Sequence, residues 1–261
     1  MSNKDSAEST SSTENQSIFS HLIELRSRIL KAVFFVLLVF GGLASYSNQI
    51  YHLISKPLIA HLPETSTMVA TGVTSPFLTP FKLTLVAAIF VSMPVVLYQL
   101  WAFVAPGLYK HEKLLVLPLL IFSIALFYGG VAFAYYVVFP LVFAFLSAAA
   151  PEGVAVIPDI SAYLDFVLTI FFAFGLAFQV PIATILVVST GIISRQELSK
   201  MRSYVIVAAF VIGMFLTPPD VISQTLLAIP IWLLFELGLL LSWFFTSRKK
   251  INTNEKLKTR T

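Results

Sequence analysis

The chain has 261 residues, of which 57% are hydrophobic and 11% charged, and its mean hydropathy is +0.88. A soluble domain carries about 25% charged residues, and the apolar residues here lie in long uncharged runs, so the composition indicates a polytopic membrane protein. The net charge of +4 does not predict nucleic-acid binding, because the cations stand in short segments between apolar runs, where they set orientation in a bilayer. The absence of cysteine excludes disulfides and thiol catalysis.

The N-terminal segment is polar and has no apolar signal-peptide core, so it is expected to be disordered. The stretch from Ser20 is typical of a helix start, and it places Glu24 close to Arg26 and Arg28. Six apolar spans follow, at about 29–46, 81–103, 114–148, 164–188, 204–216 and 221–245. The chain thus divides into a disordered cytoplasmic tail, a transmembrane domain and a basic cytoplasmic tail: 1–17, 18–246 and 247–261.

Helix breakers shape the spans and their connections. Four prolines interrupt the segment 48–80, where short amphipathic pieces are expected to lie on the membrane surface. The uncharged third run exceeds one span of about 20 residues, so it is expected to tilt, with bends at Gly129-Gly130 and at Pro140. Lys82, at the outer end of the second span, is expected to extend its stem toward water.

The fifth span decides the topology. Residues 204–216 reach only about 20 Å at 1.5 Å per residue, whereas the hydrocarbon core is about 30 Å thick. If they cross, fifteen of the seventeen Lys and Arg residues lie on the cytoplasmic side, and only Lys56 and Lys82 lie outside. If they do not cross, the six cations of the C-terminal tail lie outside, against the bias of cytoplasmic segments toward Lys and Arg. Six crossings are therefore predicted, with the bilayer thinned around the fifth.

Two carboxylates are predicted to share the cytoplasmic face. Glu24 and Glu112 each stand at a helix start beside cations. They either form local ion pairs or bind a cationic ligand, and two separated carboxylates suit two guanidinium groups, which pair with them in a bidentate manner. Aromatic residues at the same interface are expected to anchor the helices: Tyr98, Trp101, Phe103 and Tyr109.

Three polar residues stand out within or beside the later spans, namely Gln179, Asp220 and Glu236. A charge at mid-bilayer costs about 2.5–3.5 kcal/mol and usually faces protein or water. A proton relay is one interpretation, but a structural polar contact is favoured for Glu236. Asp220, after two prolines, is expected to cap the sixth helix. A proton- or ion-coupled small-solute transporter is thus the alternative function.

The sequence gives little support to a catalytic function, because the enzyme motifs considered are incomplete or missing. His111-Glu112 begins like a zinc-binding helix, but position 115 is leucine where a second histidine is required. The sequence also lacks a Gly-x-Ser-x-Gly elbow and a phosphate-binding P-loop. An intramembrane hydrolase is accordingly disfavoured, and no metal or other cofactor is expected.

Five motifs closely resemble the TatC family, the polytopic core of the bacterial twin-arginine protein translocase. They are HLIELR at 21–26, SKPL at 55–58, YQLWAFVAPGLYKHE at 98–112, FGLAFQVP at 174–181 and LTPPD at 216–220. The resemblance extends in order from about Phe19 to Phe245. It implies an all-α, cup-shaped membrane protein of six helices in the bacterial inner membrane, with both termini cytoplasmic.

The resemblance also implies a function. Such a protein is a receptor for the twin-arginine signal peptides of folded proteins, and it is not an enzyme. It works with TatA, TatB and further copies of itself, in contact with membrane lipid, and export is driven by the proton-motive force. The positions matching Glu24 and Glu112 receive the arginines in the family. Four further positions are implicated there: Arg26, Pro57, Phe103 and Asp220.

Two expectations concern residues within the membrane. Polar groups near the short fifth span favour a partner helix that carries polar groups of its own, which the resemblance identifies as TatA or TatB. The residues expected to contact that helix are Met214, Phe215, Thr217 and Gln224. The family often has glutamate where this chain has Gln179, and an amide cannot change charge.

Overall fold

A computed structural model describes residues 5–52, 69–104, 116–142, 159–191, 193–216 and 221–258. In these ranges the chain is almost entirely helical, and its only β-type pairing is an isolated bridge between Val69 and Asp159. The all-α prediction is confirmed. The helices are α1 (Asp5–Leu43), α2 (Ser75–Val104), α3 (Val116–Phe133), α4 (Ile160–Ala177), α5 (Val180–Ser189), α6 (Arg195–Lys200), α7 (Arg202–Leu216) and α8 (Val221–Lys258).

Six apolar helical segments correspond to the six predicted spans. Four are long and apolar enough to cross a membrane: Leu22–His52, Ser75–Val104, Val116–Val142 and Ile160–Ser189. Two are shorter apolar helices, Arg202–Phe215 and Leu227–Trp243. Helix α7 has 15 residues and reaches about 22 Å, so the fifth segment is as short as the sequence predicts.

The two terminal helices extend further than the sequence analysis expects. Helix α1 begins at Asp5 and α8 continues to Lys258, so most of both polar tails is helical. Neither glycine nor proline occurs in α1 before Gly41 or in α8 after Gly238. Because no residue in these stretches strongly opposes a helix, a helix that starts in the apolar part can continue into the polar part.

Helix α2 contains Pro94 in its interior. Proline has no N–H and leaves the carbonyl four residues earlier, that of Phe90, without its helical donor. The hydroxyl of Tyr128 on α3 donates a hydrogen bond to that carbonyl at 2.9 Å. The carbonyl that the proline leaves unpaired is thus satisfied by the neighbouring helix.

Replacing Tyr128 with phenylalanine is expected to lower the free energy of unfolding by about 1 kcal/mol, the usual net value of one such hydrogen bond. Reversible unfolding of the purified protein in detergent measures the change. Tyr136→Phe is the matched control, because it removes a hydroxyl from a tyrosine that is 74% exposed. Equal effects of the two substitutions would show that the bond to Phe90 contributes nothing.

The third span remains one α-helix at the glycines where the sequence predicts a bend. The helix runs through Gly129 and Gly130 without a break. A Cβ atom at Gly130 would lie 2.4 Å from the backbone oxygen of Phe174 on α4, so this glycine is required for close packing of α3 on α4. A π-helical turn, Ala134–Val138, stands just before Pro140. A wider turn of this kind is one way in which a helix continues where its regular hydrogen-bond pattern is interrupted, for example by a proline.

The fourth span is made of two helices, and it begins earlier than predicted. The Asp159 carboxylate caps α4 by accepting hydrogen bonds from the amides of Ser161 and Ala162, both at 2.9 Å. Its other oxygen accepts from the hydroxyl and amide of Thr71, at 2.6 and 2.9 Å. The hydrogen bond from the Thr71 hydroxyl contributes most to lowering the pKa of Asp159 to about 2, and the bonds from the backbone amides contribute less. One carboxylate therefore starts α4 and holds the segment before α2 against it.

The buried side chains form two clusters among α2–α5, one of which includes Leu227 of α8, and the half-buried Phe90 and Val131 pack against both. A third, smaller cluster lies where α4 meets α7 and α8. Phe127 and Phe174 are among the largest side chains that are fully buried. Helix α1 lies outside this core. None of its described side chains is fully buried, and it packs chiefly on α2, where the rings of Phe40 and Phe81 are 5.0 Å apart.

Candidate functional site

Glu24 lies in α1, near the start of the first apolar segment. Its carboxylate accepts hydrogen bonds from Nε and Nη2 of Arg28, at 3.0 and 2.5 Å. The partner is Arg28 and not the nearer Arg26, because residues four apart lie on the same side of a helix. The Glu24 side chain keeps 37% of its surface exposed. Another guanidinium can make the same contact, so exchange for Arg28 replaces one charge-assisted pair with an equivalent one.

The other predicted acid, Glu112, lies outside the described residues, as do Pro57, Thr217 and Asp220. Phe103 is in the last turn of α2 and is half-buried. The aromatic anchors that the sequence predicts beside it differ among themselves. Tyr109 is not described. Tyr98 is exposed, as an anchor would be, but Trp101 is buried in the core between α2 and α3.

Gln179 lies at the junction between α4 and α5, just before Pro181. Its amide nitrogen donates to the backbone oxygen of Ser123 at 2.9 Å, and its amide oxygen accepts from the Ser123 hydroxyl at 2.5 Å. Ser123 is 2% exposed. Both ends of the amide are therefore engaged in holding α3 against the α4–α5 junction.

Glu236 has a structural partner, as the favoured interpretation expects. Its two carboxylate oxygens accept hydrogen bonds from Nε of Arg202, at 3.1 Å, and from Nη2 of the same residue. Arg202 is the first residue of α7, so the pair joins the start of the short fifth segment to α8. Glu236 and Gln179 are thus each engaged with a different partner, and this does not support a common proton relay.

An ion pair that the sequence analysis missed joins α2 and α4. Lys82 Nζ donates to the Asp165 carboxylate at 2.5 Å, so its stem does not simply extend into water. Close by, the hydroxyls of Thr79 and Ser161 are 2.9 Å apart. A signal for the pair was present, because two spans that enter from the same side carry opposite charges at similar distances from their starts.

The predicted partner-helix residues lie around the α7–α8 turn. Met214 and Phe215 are 50% and 79% exposed. Gln224 is half-buried, and its backbone oxygen would lie 3.4 Å from a Cβ atom at Gly213. The two helices therefore approach closely at this glycine, with large apolar side chains exposed beside the contact.

The described residues contain no group of three or more His, Cys, Asp or Glu side chains that could hold a metal ion. The polar contacts between helices are isolated pairs, and exposed apolar side chains cover much of the outer surface. Fold and site together define a multi-pass α-helical membrane protein.

Comparison with known proteins identifies the family. The family of Sec-independent protein translocase proteins, TatC, matches residues 20–230. Three relatives are each named Sec-independent protein translocase protein TatC. The protein of Haemophilus influenzae is 59% identical, over 89% of this chain and 91% of its own length. Those of Azotobacter chroococcum and Escherichia coli K12 are 57% and 55% identical, over 91% and 90% of this chain and 91% of each relative.

A solved structure described as the twin-arginine translocase receptor TatC superimposes with a TM-score of 0.78. It is 36% identical in sequence, and the match covers 87% of this chain and 99% of that one. The chain belongs to the TatC family. It is therefore a component of the twin-arginine protein translocase, a transport protein by family, and the solute-transporter alternative is not favoured.

Proposed function

We propose that this chain is the receptor that binds the twin-arginine signal peptides of folded proteins at the cytoplasmic face of the membrane. The observation that supports this most is the contact between Glu24 and Arg28, in which one carboxylate accepts two hydrogen bonds from one guanidinium. The carboxylate is already arranged to accept an arginine side chain, and its exposure leaves it open to exchange. A signal-peptide arginine replaces Arg28 in the bound state.

Glu112 supplies the second carboxylate in this proposal, for the second arginine of the motif. Phe103 stands close to it in sequence and offers an apolar surface to the residues that follow the arginines. Arg26, in the first turns of the apolar segment Leu22–His52, acts beside the acids and not as an arginine ligand, because like charges repel. Pro57 and Asp220 have structural roles on the periplasmic side.

The proposal requires both termini to be cytoplasmic. Because the chain contains no cysteine, single cysteines introduced at Ser12 and Thr253 can be labelled without background. In intact cells, a membrane-impermeant maleimide is expected to leave both positions unlabelled, while a cysteine at Thr71 reacts. Labelling of either terminal position from the periplasm would reverse the orientation and remove Glu24 from the cytoplasmic face.

TatA and TatB are the proposed partners, and they contact the surface around Met214, Phe215, Thr217 and Gln224. Gln224→Leu is expected to weaken co-purification of both partners several-fold, since interhelical hydrogen bonds in membranes contribute about 0.6–2 kcal/mol. Thr225→Val is the matched control, because its hydroxyl bonds within its own helix, to the Val221 oxygen. Unchanged recovery of both partners with Gln224→Leu would contradict this contact.

Export powered by the proton-motive force, without nucleotide, completes the proposed function. The experiment that separates it from solute transport uses the purified chain in two assays. Capture of a twin-arginine peptide, and no proton-driven uptake of small solutes into vesicles, is the expected result. Solute uptake without peptide capture would overturn the proposal.

A further inference from the structure

One face of α1 combines cations that pair with no described acidic side chain with an apolar strip. A groove of about 370 Å³ is lined by Ile23, Arg26, Ser27, Leu30, Lys31 and Phe34. These residues recur at helical spacing and therefore lie on one side of α1. The apolar members are among the more exposed side chains of the molecule, with Ile23 at 68% and Phe34 at 69%. None of these six side chains is part of the protein core.

The cations on this face have no acidic partner within the described part of the chain. Arg28 is neutralised by Glu24, whereas Arg26 and Lys31 are exposed and make no ion pair with a described side chain. They are five positions apart in the sequence, which corresponds to about 7.5 Å along the helix and about 140° around it. They therefore stand on the two edges of the groove, with Ser27, Leu30 and Phe34 between them.

The position of the groove determines what can fill it. It lies in the first turns of the apolar segment Leu22–His52, where the helix enters the membrane. A soluble anion would match the two cations but leave the apolar strip uncovered. The two arginines of a signal peptide match the carboxylates and would give Arg26 and Lys31 no partner of opposite charge. An anionic phospholipid fits both features of the groove, because its phosphate can pair with the two cations and its acyl chain can cover the apolar strip.

We propose that this α1 groove binds one anionic phospholipid of the inner leaflet. Arg26 and Lys31 hold the phosphate from its two sides, with the stem of Lys31 extended toward the headgroup. An acyl chain lies along Leu30 and Phe34. This lipid site does not depend on peptide recognition. It binds an anion through cationic side chains, whereas the peptide site binds arginines through the carboxylates of Glu24 and Glu112.

The test is native mass spectrometry of the full chain in detergent, with phosphatidylglycerol or phosphatidylcholine added. The apparent affinity for the first bound lipid is measured. Wild type is expected to prefer phosphatidylglycerol by at least ten-fold. Lys31→Gln should weaken phosphatidylglycerol binding about five-fold and Arg26→Gln/Lys31→Gln about 25-fold, while phosphatidylcholine, whose choline group offsets the phosphate charge, should lose less affinity in each variant.

The matched control is Arg195→Gln/Lys200→Gln, which removes two exposed cations from the short helix α6. It should bind phosphatidylglycerol within two-fold of wild type. Glycerol phosphate, the headgroup without acyl chains, should not compete. An equal loss in the control variant, full competition by glycerol phosphate, or no loss in the double variant would each overturn the proposal. If the double variant does not fold, the single variant at exposed Lys31 gives the same readout.

Discussion

Glu24→Gln and Glu112→Gln are each expected to weaken binding of a twin-arginine peptide by roughly ten- to a hundred-fold. A hydrogen bond to a charged group contributes about 1.5–3 kcal/mol, and about 1.4 kcal/mol corresponds to a factor of ten. Both acids are proposed to lie at the boundary between water and lipid, where the effective dielectric constant is below that of water and ion pairs are stronger than on an open surface. Glutamine keeps the shape of the side chain and removes its charge.

Peptide affinity for the purified variants measures the effect. Glu197→Gln is the matched control, because Glu197 is an exposed acid in a capping box with Ser194, where glutamine also fits. It should bind the peptide as wild type does. Arg28→Gln is expected to tighten binding by up to about five-fold, since it removes one internal partner of Glu24 that competes with the peptide. If both glutamate variants bind like wild type, the carboxylates are only local ion pairs.

The second large effect is expected at Gly130. A Cβ atom there would lie 2.4 Å from the Phe174 oxygen, which is backbone and cannot rotate away. Gly130→Ala must therefore separate α3 from α4, and overpacking of this kind costs about 1–3 kcal/mol. Unfolding of the purified protein in detergent should show that loss, together with a lower melting temperature.

Gly129 is the control for this substitution. The nearest atom to a Cβ placed there is Cδ1 of Phe178, at 4.0 Å, which is an ordinary contact. Gly129→Ala should therefore be neutral or stabilising, because alanine favours a helix by up to about 1 kcal/mol over glycine. Equal destabilisation by the two substitutions would mean that close approach at Gly130 is not what requires glycine.

The sequence was sufficient to predict the helical class and six apolar segments, because long uncharged runs and their breakers are local features. The short fifth segment was recognised for the same reason, since its length follows from Thr217-Pro218-Pro219 and from the cations before it. The ends of the terminal helices were not predicted, because the polar composition of both tails favours disorder. Only the absence of glycine and proline there indicates that a helix can continue.

The pairings between helices were not identified from the sequence. Gln179 and Ser123 are 56 positions apart, and Lys82 and Asp165 are 83 apart. Neither pair follows from local spacing, because it depends on which helices are neighbours and on how they are rotated. The pair of Glu24 and Arg28 is different, because residues four apart share one side of a helix and the pairing follows from local spacing.

The most direct measurement compares two peptides on the wild-type protein, one with the twin-arginine pair and one with two lysines in its place. Lysine keeps the charge but cannot reproduce the planar fork with which arginine forms two hydrogen bonds to one carboxylate. If Glu24 and Glu112 each accept such a fork, the lysine peptide should bind at least ten-fold more weakly. Equal affinities for the two peptides would contradict recognition of the arginine pair by these carboxylates.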